Sequence, residues 1–215
     1  MDFNFLYQQM PILLSATWMT VKLTVLTLVI STALAIPLAI LRMREGTVIA
    51  RVVASYSTLM RAVPTLVVLF FVYYGLPQLG ITLPAFPTAL AGLVLSATAY
   101  NLEIFRAGLL TVRRGQFEAA RSLAIPEWRM WYGIIVPQSL PVIVPTYLSN
   151  ATLVMKGTSV ASIITIPELT AKANEIVSDT YRPFEVLLAA ALIYVLMGGL
   201  LSLAAYAFRR RMVWQ

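Results

Sequence analysis

Five stretches of this 215-residue chain are apolar over roughly the 20 residues a helix needs to cross the hydrocarbon core of a bilayer. They fall at about 12–41, 56–79, 88–112, 134–155 and 184–208. Composition agrees: 60% of residues are hydrophobic and 12% are charged, where a soluble domain carries about 25% charged residues. So much apolar surface cannot fit in one buried core and must face lipid. The expected fold is an all-α, polytopic membrane protein with a single transmembrane domain over 1–215. The first stretch opens with Pro11 and is long enough to tilt or to begin as an interfacial turn. A removed signal peptide is the competing reading, disfavoured because no Lys or Arg precedes the apolar run.

The charges between the stretches set an orientation. Residues 1–11 carry only Asp2, and residues 77–87 carry no charge. The 42–55 connection holds Arg42, Arg44 and Arg51 against Glu45. The 113–133 connection holds Arg113, Arg114, Arg121 and Arg129, and the tail ends Arg209-Arg210-Arg211. Basic residues therefore cluster on alternate sides, which predicts an external N-terminus, a cytoplasmic C-terminus and an odd number of spans. The net charge of +7 is mainly this topology signal, and no nucleic-acid partner is expected. In the last external segment, Leu169, Ala173, Ile176 and Val177 recur at helical spacing against Lys172, Glu175 and Asp179. This pattern predicts a short amphipathic helix at the outer surface, opened by Pro167 and Glu168. No internal repeat is visible, so a solute pathway is expected between two subunits.

The chain has no Cys and no His, which excludes thiolate chemistry, Ser-His dyads and imidazole metal sites. Its two aspartates, Asp2 and Asp179, lie far from any shared intramembrane position. There is no G-x-x-x-x-G-K-[ST] phosphate loop. No enzyme activity and no bound cofactor or metal are expected, and if the chain pumps a solute, a partner supplies the energy.

The 113–133 connection is the most informative. Gly115-Gln116-Phe117-Glu118-Ala119-Ala120-Arg121-Ser122-Leu123-Ala124 is followed by Pro126 and then Trp128, Trp131 and Tyr132. Glu118 is expected at the start of a short helix, where the dipole favours an acid. Ala119, Ala120 and Ala124 would keep the surface thin enough for another protein to approach. The aromatics read either as part of a docking elbow or as an interfacial belt.

Glu118-Ala119-Ala120-Arg121-Ser122-Leu123-Ala124, with Gly115-Gln116 before it and Ile134-Ile135-Val136-Pro137-Gln138 after it, resembles the EAA loop of bacterial ABC-importer permeases. Within them it is similar to the polar amino acid permeases. Further agreement comes from Arg61 and Pro64 with Tyr73-Tyr74-Gly75-Leu76-Pro77, from residues 99–108, and from Lys156-Gly157-Thr158-Ser159-Val160. The resemblance implies a five-helix, MetI-like permease fold in the bacterial inner membrane, paired with an identical or homologous permease. It also implies an ATPase dimer that binds ATP and Mg below and an extracytoplasmic substrate-binding protein above. Gly115, Gln116, Glu118, Ala119, Ala120 and Ala124 would then form the coupling helix gripped by the ATPase. The family's usual glycine is Ala124 here, a change between small residues. Gln often stands where Val68 is, and a polar residue where Gly157 is, which leaves the substrate open. Outside that resemblance, the alternative is a channel-like or scaffolding protein whose elbow docks a different partner. An intramembrane hydrolase comes third, for want of His and Cys.

Ionisable groups at bilayer depth are costly and point to function by default. Glu103 and Arg106, three apart on one helix, read either as substrate contacts, for the two ends of an amino acid, or as a structural bridge. Asn101, Thr158, Ser159 and Glu168 are further candidates for the pathway. Arg61 and Lys22 sit near span ends and are expected to snorkel. Pro137, Pro141 and Pro145 predict a bent fourth span, or a first turn at Pro137, and Pro64 a kink in the second. Gly198 and Gly199 with Ser202 suggest close helix contact.

Overall fold

The computed structural model describes residues 2–44 and 46–213, without the side chains of 211–213. Glu45 and the Arg211 side chain, both counted above, lie outside the described residues. The described chain is helical and contains no strand. α1 (Phe3–Arg42) begins earlier than the apolar run predicts, because the Asp2 side chain caps it by accepting from the Phe5 amide at 3.1 Å. Pro11 and Pro37 lie within it. At 1.5 Å per residue its 40 residues reach about 60 Å.

α2 (Val48–Ala62) and α3 (Thr65–Gln78) replace the straight second span expected over 56–79. They meet at an angle of 105°. The cause is Pro64, which forces the preceding residue out of the helical region; Val63 and Pro64 are both extended. The expected kink is a complete break. α4 (Ala85–Leu110) is the central helix. α5 (Arg114–Ser122) and α6 (Glu127–Met130) form the elbow. α7 (Val136–Gly157) follows and runs into a 3-10 segment, Thr158–Ile164. α8 (Leu169–Thr180) and α9 (Pro183–Val213) complete the chain.

Two five-residue π-turns interrupt the bundle, Phe71–Gly75 and Trp131–Ile135. Each ends two residues before a proline, Pro77 or Pro137. Proline has no amide hydrogen and crowds the carbonyl four residues back, and a widened turn accommodates both defects. Pro137 therefore stands in the first turn of α7, with Pro141 and Pro145 inside it.

α1, α4 and α9 are long and apolar enough to cross a membrane, and the bent α2–α3 pair adds a fourth crossing if counted as one span. α7 is 22 residues long but carries Gln138, Ser139, Thr146, Ser149, Asn150 and Thr152, so length and apolarity alone do not establish the fifth crossing.

α1 packs most extensively against α4. Its buried stripe is small or polar, running through Thr20, Thr24, Thr27, Ser31, Ala35 and Ala39, and this lets the two backbones approach closely. Gly108 of α4 lies against Ile143 of α7 with no room for a methyl group. A Cβ built on Gly198 would be in ordinary contact with Thr152 and Met155 of α7, whereas one on Gly199 meets nothing within 4 Å and Ser202 is exposed. The expected glycine contact is thus made by Gly198 alone. α8 buries Leu169, Ala173 and Ile176 against Leu13 of α1 and Val186, Ala189 and Ala190 of α9. It is the amphipathic helix expected, with its apolar face on protein.

Candidate functional site

The elbow is fastened on one side and bare on the other. Ala120 is buried with Leu109 and Val112 at the end of α4 and with Met130 and Ile135 at the entry to α7. Phe117 and Trp131 meet edge-on beside them, ring centroids 6.0 Å apart. α5 is therefore clamped to two long helices at once. Its opposite side exposes Gln116, Glu118 and Ala119. Leu123, Trp128 and Tyr132 are also exposed, to 75%, 61% and 75%, which is a large apolar area for an element without a partner in this chain.

Three expectations about the elbow are corrected. Glu118 does not open the helix, which starts at Arg114 and has no acid in its first turn; it stands in the middle, on the exposed side. Ala120 does not thin the outer surface, because it points into the core. The position of Ala124 asks for a conformation, beyond small size. Its φ is 53°, its amide bonds to the Arg121 carbonyl at 2.9 Å, and the Ile125 amide bonds to the Ala120 carbonyl at 3.0 Å. This is a Schellman stop, in which glycine is usual because it has no Cβ to strain. Gly115 is exposed and has open space around it.

Deeper in the bundle, Asn101 is fully buried. Its amide donates to Ser31 Oγ at 2.9 Å and its carbonyl accepts from Asn150 Nδ2 at 2.9 Å. The residue thus joins α1, α4 and α7. Glu103 accepts from Ser57 Oγ at 2.9 Å through one oxygen and from Arg106 Nε at 2.8 Å through the other. Of the two readings of this pair, the geometry favours the bridge, which ties α2 to α4. Arg61 is exposed at the break, with Nε donating to the Ser57 carbonyl and its own carbonyl accepting from Tyr100. Lys22 sits over the Phe86 ring at 5.1 Å.

An open groove of about 180 Å³ lies between α3, α4 and α7. Thr65, Ser96, Tyr100, Asn150, Leu153 and Gly157 contribute to its lining. The Ser96 hydroxyl is buried and has no hydrogen-bond partner, a condition that a ligand or water relieves. Of these residues the sequence points to Gly157 and, within the 99–108 stretch, to Tyr100. The available signals were isolated polar residues in apolar runs, Ser96 and Asn150 among them.

Thr158 and Ser159 donate to carbonyls three residues back, at 2.7 Å each, and so close the end of α7. Glu168 is fully buried and does not line the groove. It caps α8 by accepting from the Ala171 amide at 2.7 Å, and it accepts from Tyr194 of α9 at 3.0 Å and Thr20 of α1 at 3.4 Å. Burial pushes its carboxyl above the usual range, against the hydrogen bonds that favour the charged form. At the same end, Arg182 pairs with Asp2 at 3.0 Å and holds that carboxyl below its ordinary value. Among the described residues no cluster of acids, His or Cys is suited to a metal.

Comparison with known proteins places this geometry. The model of the family described as "Binding-protein-dependent transport system inner membrane component" matches residues 31–214. The octopine transport system permease protein OccM of Rhizobium meliloti is 36% identical, over 90% of this chain and 82% of its own. The L-cystine transport system permease protein TcyB of Bacillus subtilis is 34% identical, over 94% and 87%. A solved amino acid ABC transporter superposes with a TM-score of 0.88 at 34% identity, covering 98% of this chain and 99% of the other. The inward-facing MetNI methionine ABC transporter shares the fold, with a TM-score of 0.78 at 17% identity.

Proposed function

The chain belongs to the binding-protein-dependent transport system inner membrane components, and on that premise we propose that it moves polar amino acids or related small solutes by alternating access. It is a permease subunit of an ABC importer, a helical multi-pass membrane protein of the MetI-like type. The working assembly pairs it with a second permease, identical or homologous. An ATPase dimer binds ATP and Mg on the cytoplasmic side, and an extracytoplasmic binding protein delivers cargo. The bacterial inner membrane is its location, with five crossings, the N-terminus outside and the C-terminus inside. α7 supplies the crossing that its polar face disguises: Gln138, Thr146, Ser149 and Lys156 are exposed along it, where lipid would be a poor neighbour but a second subunit or a wet pathway is not.

The observation that carries this reading is the double attachment of α5. Its exposed side, with Gln116, Glu118 and Ala119, is free for an ATPase groove, with Gly115 at one end and Ala124 at the other. Its buried side, through Ala120, holds the ends of α4 and α7. Those two helices line the groove, so displacement of α5 is delivered to the groove walls. That is a two-state device biased from below by nucleotide and from above by the loaded binding protein.

The test is uptake by the full complex in proteoliposomes carrying Glu118→Arg. ATP-driven uptake is expected to vanish while membrane insertion and permease pairing persist. Normal uptake with the reversed charge would remove α5 from the coupling role.

A further inference from the structure

We propose that the groove between α3, α4 and α7 selects solutes whose side chain carries no net charge; this rests on the importer reading above. The residues lining the groove include no Asp, Glu, Lys or Arg. Its polar groups are neutral: the unpartnered Ser96 hydroxyl, Thr65, Tyr100, and Asn150, whose amide nitrogen is committed to Asn101. A cationic side chain placed here would lose its hydration without gaining a counter-charge.

Among the described residues no carboxylate lines the groove. The chain has nine acids, at positions 2, 45, 103, 118, 127, 168, 175, 179 and 185. Glu103 alone lies well inside a membrane-spanning helix, and both of its oxygens are occupied, by Ser57 and Arg106. Glu168 is enclosed in its cap between α1, α8 and α9. Of the remaining described acids, Asp2 and Glu185 stand at the starts of α1 and α9, and Glu118, Glu127, Glu175 and Asp179 lie on the short helices α5, α6 and α8. A neutral polar side chain then meets Ser96 and Asn150, and an apolar portion meets Leu153.

Gly157 makes the idea open to manipulation. Gly157 is among the lining residues and a Cβ built there meets nothing within 4 Å, so a side chain can be added at this edge of the groove. The experiment uses the complete complex in proteoliposomes and measures ATP-driven uptake of labelled glutamine, arginine and glutamate. Glutamine is expected to exceed the other two at least tenfold. Gly157→Glu is expected to cut glutamine uptake at least tenfold. Ser96→Ala, which only removes the unpartnered hydroxyl, is expected to cut it a few-fold with unchanged melting temperature. Arginine or glutamate uptake matching glutamine would overturn the selectivity and leave the importer reading standing. Undiminished glutamine uptake by both variants would overturn the assignment of the groove. No ATP-driven uptake of any of the three would count instead against the proposed function itself.

Discussion

Ser57 and Glu103 are joined by a 2.9 Å hydrogen bond that fastens α2 to α4 about two turns before the chain breaks at Pro64. Arg106 occupies the other carboxylate oxygen, so the three side chains close one partly buried unit.

Removing one member of that unit strands the others. Arg106→Ala is expected to destabilise the solubilised complex by roughly 2 kcal/mol, as an unpaired carboxylate is left half-buried. Glu103→Gln combined with Arg106→Gln should cost less than Arg106→Ala alone. A thermal-melt double-mutant cycle checks this; additive losses would show that the pair does not act together.

Gly108 and Gly199 make a matched comparison. Gly108→Ala drives a methyl group into Ile143 and is expected to cost about 1–3 kcal/mol through overpacking. Gly199→Ala meets open space and should be neutral or stabilising by up to about 1 kcal/mol. Denaturation of the two variants side by side gives the contrast, and equal losses would contradict the close α4–α7 crossing.

Ala124→Gly should stabilise the elbow by about 1 kcal/mol, since it relieves a left-handed alanine. Hydrogen exchange at the Ile125 amide, which closes the stop, is the direct readout. Faster exchange in the glycine variant would argue against the Schellman geometry.

The Glu168 carboxyl is pushed up by burial in the native state, so the folded protein holds this proton more tightly than the unfolded chain. The resulting stability is present in full below the ordinary carboxylate value of 4.5 and is lost as pH rises through the raised native value. Glu168→Gln is expected to flatten that part of the pH–stability curve and to melt no lower than the parent at neutral pH. An unchanged slope would show that Glu168 does not titrate there.

How much of this was legible follows from the kind of signal each element leaves. α8 was visible because burial on one face alone imposes a helical period on Leu169, Ala173 and Ile176. The elbow was visible through its motif, but its inside and outside were not: Ala119 and Ala120 are the same residue type, and only packing against Met130 and Ile135 separates them. The break at Pro64 was under-read, since a proline within an apolar run signals a bend but not its size. The roles of Asn101 and Glu168 went the other way. A lone polar residue at depth suggests a ligand site, yet here Ser31 and Asn150 satisfy one and the start of α8 the other. The groove was the least legible part, because it is built from ordinary residues on three helices far apart in the chain.

A rod of about 60 Å, such as α1, is roughly twice as long as the oily layer is thick. Upright, it would project well past the headgroups; fully immersed, it would lean by about 60° from the normal. Asp2 pairs with Arg182 at 3.0 Å, between its tip and the start of α9, so a change in its slant is felt first at that contact. Vesicles of graded acyl-chain length are expected to shift that tilt, read as a change in spacing between labels at the two ends of α1.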